Sequence, residues 1–312
     1  MTNGNMTEFP TRRVNRSAAK MVEPLGSKPK FWFREGERRL LFKAETRGTG
    51  EDWAEVVSCH LCELLGLPHV RYELAVEYDG EKEIHPGVVC ENMAPSPLAL
   101  ALGNDLLLSL DPDYPATQQF KVRQHTVGAV REALTKLNPP SANWRAGDLT
   151  DVRSALDVFV GYVMLDAWIA NPDRHHENWG ALVSPSDRCL APTFDHGAAL
   201  ARNLLDSERH DRLTTKDRGR TVAAFVQRGR SAFYGSSDAK KPLLLSEAFS
   251  AFACLAPAAA EAWLNRLRTI EAEEVWSILE KVPDARMTDT CRLFAKELLR
   301  INRQRLLEQE IP

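Results

Sequence analysis

The stretch NPDRHHENWG, residues 171–180, leaves an almost continuously apolar run, VRSALDVFVGYVMLDAWIA (152–170), and is followed after a short turn by APTFDHGAAL, residues 191–200. A run that is apolar on nearly every side predicts a central buried helix, ended by Pro172. The loop that leaves such a rigid base presents Asp173 and, five residues on, Asn178 to a cleft. WGALV and RCLAPTF read as two strands joined around Ser184–Asp187, a hairpin that folds Asp195 back beside Asn178. Phosphoryl transfer needs divalent cations to neutralise phosphate charge and a carboxylate to orient the attacking hydroxyl and accept its proton. Asp173 is therefore the expected catalytic base, with Asn178 and Asp195 the expected hard-oxygen ligands of Mg²⁺.

Asp-x-x-x-x-Asn is weak by itself, and the residues upstream give it context. LGSKPKFWF, the charged turn REGER and RLLFKAE predict a strand pair, and Lys43 in its second strand can reach the α and β phosphates of ATP. From Glu51 to Leu65 the apolar residues Trp53, Val56, Val57, Leu61, Leu64 and Leu65 recur at helical spacing, with Gly66 and Pro68 as the stop. Glu55 on that helix is placed to pair with Lys43. The turn GSKPK, with Gly26, Ser27, Lys28 and Lys30, can turn backbone N–H groups toward a triphosphate. VRYELAVEYDGEKEIHPGVVCENM reads as two strands joined at Asp79-Gly80, and Glu91 to Met93, at the end of the second, can offer backbone groups to adenine.

The expected fold class is thus α+β and bilobal: a flexible polar leader (1–20), a sheet-rich nucleotide-binding N-lobe with one helix (21–94), and a larger helical C-lobe (95–312) carrying the catalytic and metal loops. A chain of 312 residues with 44% hydrophobic content is long enough for such a core. Nothing approaches the roughly 20 apolar residues of a bilayer span, and the N-terminus lacks the apolar stretch of a secretory signal, so a cytoplasmic protein without a membrane partner is expected. Six cysteines scattered through helices and strands predict reduced thiols. A net charge of −3 gives no sign of nucleic acid as a main partner. Between Arg202 and Arg230, eight Lys/Arg face four acids, either a solvated face or a docking surface for phosphate or an acidic substrate.

In this order the motifs resemble the HipA-like serine/threonine kinases, toxin-type bacterial enzymes of protein-kinase-like fold, over roughly Leu25–Leu200. GSKPK is similar to that family's Gly-x-Gln-Pro-Lys loop, with Lys28 where Gln is usual. LLFKAE is similar to its strand lysine, and NPDRHHEN with FDHG to its catalytic and metal loops. The resemblance implies an ATP- and Mg²⁺-dependent kinase of a protein substrate, with an antitoxin as a possible partner. It assigns Lys43 to ATP phosphates, Glu55 to its ion pair and His175 to orienting the catalytic loop. Ser27 is the nearest candidate for autophosphorylation, and Thr214, Thr215 and Ser231 fall where protein kinases keep an activation segment. The Asp-Arg-His-x-x-Asn and Phe-Asp-His-Gly runs are also similar to phosphatidylinositol kinases, so a lipid or small-molecule kinase is the alternative, and a nucleotide-binding pseudokinase a third. The histidines near Asp173 lack the spacing of a zinc site, and Cys59-x-x-Cys62, inside the predicted helix, reads as helix packing.

Overall fold

The computed structural model describes residues 7–19, 21–22, 29–144 and 151–309. Strands β1 (Arg12–Asn15), β2 (Met21–Val22), β3 (Lys30–Glu35) and β4 (Arg38–Ala44) precede α1 (Glu51–Leu65), and β5 (Tyr72–Asp79) and β6 (Lys82–Glu91) complete a six-stranded sheet in the order β1-β5-β6-β4-β3-β2. Lys30 lies opposite Lys43 in the antiparallel β3–β4 pair, and Asp79-Gly80 makes the β5–β6 turn, Gly80 supplying a φ of 59°. The leader is corrected: Arg12–Asn15 is a strand, parallel to β5, with Val14 buried. Arg12 reaches Glu35 at 2.9 Å and Glu73 at 2.7 Å, so its charge is spent within the sheet rather than in solvent.

Past Met93 the chain forms β7 (Ala99–Leu102), α2 (Gly103–Leu110), α3 (Val127–Leu134) and α4 (Ala155–Ile169), then β8 (Gly180–Val183) and β9 (Arg188–Leu190). The hairpin β8–β9 is as expected; β7, not foreseen, adds a third strand to it. Helices α5 (Asp206–Thr214), α6 (Val222–Val226), α7 (Leu245–Ala253), α8 (Pro257–Thr269), α9 (Ala272–Glu280) and α10 (Asp289–Glu308) finish the larger lobe.

Helix α4 is the axle of that lobe. Ser154 and Asp157 form a reciprocal capping box at its start, which satisfies two otherwise orphaned backbone N–H groups. Nearly all of its side chains are buried, from Ala155 through Ile169. Gly161 keeps one face flat, since a Cβ there would lie 2.6 Å from the Trp263 ring and 2.7 Å from Leu67. The helix ends at Ala170 in the left-handed region, φ 54°, two residues before Pro172, and this redirects the chain into the loop 171–179.

Helix α1 faces two ways. Trp53, Val57, Leu61 and Cys62 join the core built on α4, while Val56 and Cys59 join the cluster beneath the sheet. Its two cysteines therefore belong to different cores, and all six cysteines are free thiols. Glu45 receives the backbone N–H groups of Arg47 and Glu51 at 2.7 Å each, fixing the entry to α1, and Arg286 pairs with Asp52 while donating to the Ala75 carbonyl at 3.0 Å. A helix held at its first turn and packed on two faces places Glu55 between the lobes. Among the described residues no helix is long and apolar enough to cross a membrane.

Candidate active site

The site is built around Lys43. Strand β4 carries its side chain under the sheet, where Nζ donates to Glu55 Oε1 and to Asp195 Oδ1, each at 2.9 Å, 5.4 Å from the centroid of the Tyr72 ring. Three segments far apart in sequence thus meet at one ammonium. Burial works against the Lys43 charge, but Asp195 and Glu55 together hold its pKa well above the ordinary lysine value. The two carboxylates divide unequally. Burial pushes Glu55 up to about 7 against the pull of Lys43. Asp195 also loses hydration, yet Lys43, with Lys30 adding to it, holds its carboxyl well below the usual range. The negative charge therefore rests on Asp195, whose side chain is 39% exposed against 4% for Glu55.

Asp195 sits in a positive-φ turn, φ 61°, that follows Phe194, and its backbone N–H donates to the Tyr72 hydroxyl at 3.3 Å. The next N–H, of His196, donates to Glu55 Oε2 at 2.8 Å. Both Glu55 oxygens are thereby engaged, one on each lobe, while Asp195 turns one oxygen to Lys43. Upstream, Thr193 is stitched to the loop after α1 by Val70 N–H to Thr193 O, 3.0 Å, and Thr193 N–H to Pro68 O, 2.9 Å.

The loop 171–179 rests on a buried ion pair that sequence reading did not single out. Arg174 is bidentate on Asp166 of α4, one contact being 2.7 Å, and donates through Nη1 to the Asn178 carbonyl at 3.1 Å. Asn171 also donates to Asp166, at 2.8 Å, and accepts from Asp173 N–H at 3.2 Å. An Asp deep inside the apolar helix, nine residues past the capping Asp157, was the available signal. Asn178 Nδ2 donates to the Asp173 carbonyl at 2.7 Å, which closes the loop and leaves its Oδ1 as the atom suited to a cation. His175 accepts from Glu177 N–H on Nδ1 at 3.2 Å, so Nε2 carries the proton and faces Asp173 Oδ1 at 3.8 Å. That geometry suits an orienting group. Asp173 itself is 40% exposed. Behind the loop, Tyr114 hydroxyl meets His176 Nδ1 at 2.8 Å, and Trp179 Nε1 donates to His125 Nε2 at 3.1 Å. Burial pushes His125 down to about 3 and His176 down to about 4, so both rings are neutral.

Lys43, Glu55 and Asp195 are brought together, and Lys30 lies near enough for its charge to act on Asp195. Asp173, His175 and Asn178 share one hydrogen-bonded loop. Gly26, Ser27 and Lys28 lie outside the described residues. Glu91 ends β6 opposite Leu40, and Asn92 continues the pairing by donating to Arg39 O at 3.1 Å. Met93 packs partly buried on the cluster beneath the sheet. Part of the basic surplus is internal: Arg202 pairs with Glu51 at 2.6 Å, and buried Arg209 pairs with Asp206 and donates to the Arg202 carbonyl at 2.9 Å. Ser231 is buried with its hydroxyl on Leu243 O at 3.1 Å, so it is corrected as a phosphorylation candidate.

No protein-family model matches the sequence, and no curated protein does. Solved structures do. The chain is similar to the Helicobacter pylori proinflammatory kinase CtkA, with a TM-score of 0.69 at 18% identity over 96% of this chain and 100% of that one. It is also similar to Shewanella oneidensis MR-1 HipA, solved with HipB and operator DNA, with a TM-score of 0.57 at 11% identity over 100% of this chain and 70% of that one. At such identities the likeness is one of fold. The chain has a bilobal, HipA-like kinase fold of α+β class.

Proposed function

We propose that the protein is an ATP-dependent serine/threonine protein kinase of the HipA-like type, with residues 21–94 as the nucleotide lobe and 95–312 as the catalytic lobe. The observation that carries this reading is Lys43 bridging Glu55 and Asp195 across the lobes. A lysine held between two carboxylates of unequal basicity, one buried and one exposed, is arranged to hand its charge to phosphate while staying fixed by the buried partner. The donors fit Mg²⁺: Asn178 Oδ1 and the low-pKa carboxylate of Asp195 are hard oxygens. Mg²⁺ would neutralise charge on the transferred phosphoryl group. Lys43 binds the α and β phosphates, and Lys30 adds positive charge on the same side. Backbone groups at Glu91 to Met93 meet adenine. Asp173 orients a serine or threonine hydroxyl of an intracellular protein and takes its proton as the oxygen bonds to the γ-phosphorus and ADP leaves; His175 keeps Asp173 in place. Since the similar HipA was solved with HipB and operator DNA, a toxin role with an antitoxin partner belongs to the same reading.

Purified protein incubated with γ-labelled Mg-ATP and a bacterial lysate is expected to label protein on serine or threonine, and Asp173→Ala to abolish the label. Labelling indifferent to Asp173→Ala would sink the assignment. Turnover only with lipids or metabolites would shift the substrate class while leaving the chemistry, and thermal stabilisation by millimolar Mg-ATP with no turnover of any substrate would favour a nucleotide-binding pseudokinase.

A further inference from the structure

Away from the phosphotransfer residues, on the far end of α1, Cys59, Glu63 and the loop residue His69 bring a sulfur, a carboxylate oxygen and an imidazole nitrogen within 4.8 Å of one another. We infer that these three side chains form a zinc-type metal site that clasps the C-terminal half of α1 to the loop after it.

The sequence places the first two donors. Cys59 and Glu63 are four residues apart on a helix, so they lie on one face. Gly66, in the left-handed region at φ 72°, turns the chain back past that face and delivers His69. The imidazole is already in the tautomer a metal requires. His69 Nδ1 is 2.7 Å from the Leu67 carbonyl, so Nδ1 carries the proton and Nε2 presents its lone pair. That Nε2 is buried with no hydrogen-bond partner, on a residue only 6% exposed, and it faces Glu63 Oε1 at 4.0 Å. A buried ring nitrogen left without a partner carries an uncompensated desolvation cost, which a bound cation would recover.

Glu63 is oriented in turn. His60 Nδ1 holds its other oxygen, Oε2, at 2.7 Å, and the His60 ring stacks on Phe9 with centroids 4.5 Å apart and planes 3° from parallel. Supporting contacts of this kind on a ligand carboxylate are what metal centres use to fix their ligands. A tetrahedral zinc with Zn–N and Zn–O near 2.0–2.1 Å requires an O–N edge of about 3.3 Å, so Glu63 must move in by roughly 0.7 Å; its side chain, 43% exposed, has the room. One thiolate, one imidazole and one carboxylate suit Zn²⁺ or Co²⁺ better than Mg²⁺ or Ca²⁺, with water as the fourth ligand on the Glu63 side. Burial pushes the metal-free Cys59 thiol up to about 12, so its proton leaves to solvent as the metal–sulfur bond forms. The exposed Arg71 nearby opposes a cation, and solvent screens it.

The consequence is mechanical. Cys59 lies one turn beyond Glu55 on α1, and His69 bridges to Thr193, two residues before Asp195. The metal would tie together the two segments that hold Lys43, so its loss should loosen both.

Co²⁺ titration in excess Mg²⁺, which saturates hard-oxygen sites, tests this on the full chain. One Co²⁺ per chain is expected, with a thiolate-to-cobalt charge-transfer band in the near ultraviolet. Cys59→Ser should remove the band and Cys254→Ser, at an exposed thiol, should leave it. Glu63→Gln, at an exposed position, should keep the band and weaken affinity about 10–100-fold. Binding without a thiolate band, a band that survives Cys59→Ser, or an affinity unchanged by Glu63→Gln would each overturn the site. The readout is metal binding, so it stands or falls independently of kinase activity.

Discussion

Two buried charge networks lie close together in this molecule and are built for opposite purposes. Asp166 and Arg174 are closed: their side chains are 3% and 2% exposed, Arg174 spans both carboxylate oxygens, and its remaining reach goes to a backbone carbonyl. Lys43, Glu55 and Asp195 are open, with Asp195 39% exposed and the charge unevenly shared between two acids on one base. In the first network every partner is protein and the geometry is complete. The second is complete only on its buried side, and its outer carboxylate is available to a cation. The closed pair frames the loop 171–179, whereas the open one, on the proposed reading, exchanges a partner. Three substitutions or titrations can break or sharpen that distinction.

The largest effect is expected at Arg174. Arg174→Met leaves the buried Asp166 carboxyl without its cation, a change that costs about 3–5 kcal/mol. The double variant Asp166→Leu/Arg174→Met removes both charges and should recover most of that loss. Urea midpoints of the three proteins decide it. A single variant as stable as wild type would mean that the loop does not rest on this pair.

A middle-sized effect concerns His176, behind the same loop. Its folded pKa is about 4 against an ordinary 6.5, so as pH falls below 6.5 the unfolded chain takes up the proton first and stability is lost until about pH 4. At about 1.4 kcal/mol per unit, the ring accounts for roughly 2 kcal/mol between pH 6.5 and 5. His176→Gln should flatten the urea midpoint over that range by this amount; an unchanged slope would show that the ring is charged in the folded state.

The open network was largely legible in the sequence, and the closed one was not. Lys43 and Glu55 sit on a strand and a helix whose hydrophobic period is plain, and the pairing their spacing predicts is the one the structure has, with Asp195 arriving after the expected hairpin. Asp166 occurs inside a run that otherwise predicts only burial, and its meaning depends on Arg174 arriving from the next loop. Strand β1 is not encoded locally for a related reason: RRVN buries only Val14, and Arg12 finds its acids on β3 and β5, far along the chain. Strand β7 pairs with residues some 80 positions later, a register that no local pattern encodes. The Cys59, Glu63 and His69 cluster is hidden from local pattern because Cys59 shares a helix face with Glu63, four residues on, and meets His69 only past the Gly66 turn, whereas its spacing to Cys62 reflects packing into two cores.

The smallest stability effect is expected at Glu55, and it separates the two networks most sharply. The unfolded carboxyl ionises near 4.5 and the folded one at about 7, so the folded protein holds an extra proton between those values and loses stability as pH rises through them. An amide in place of the carboxyl does not ionise, so Glu55→Gln gives up an ion pair but escapes that loss. Its deficit relative to wild type should narrow from pH 5 to pH 7.5 and amount to no more than about 1 kcal/mol at neutral pH. Phosphotransfer should still fall by about 10-fold or more, since Lys43 would then be positioned by Asp195 alone, the partner a cation is expected to claim. If Glu55→Gln instead destabilised the fold as severely as Arg174→Met, then Lys43 and Glu55 would be a brace like Asp166 and Arg174, and the exchangeable half of the site would shrink to Asp195.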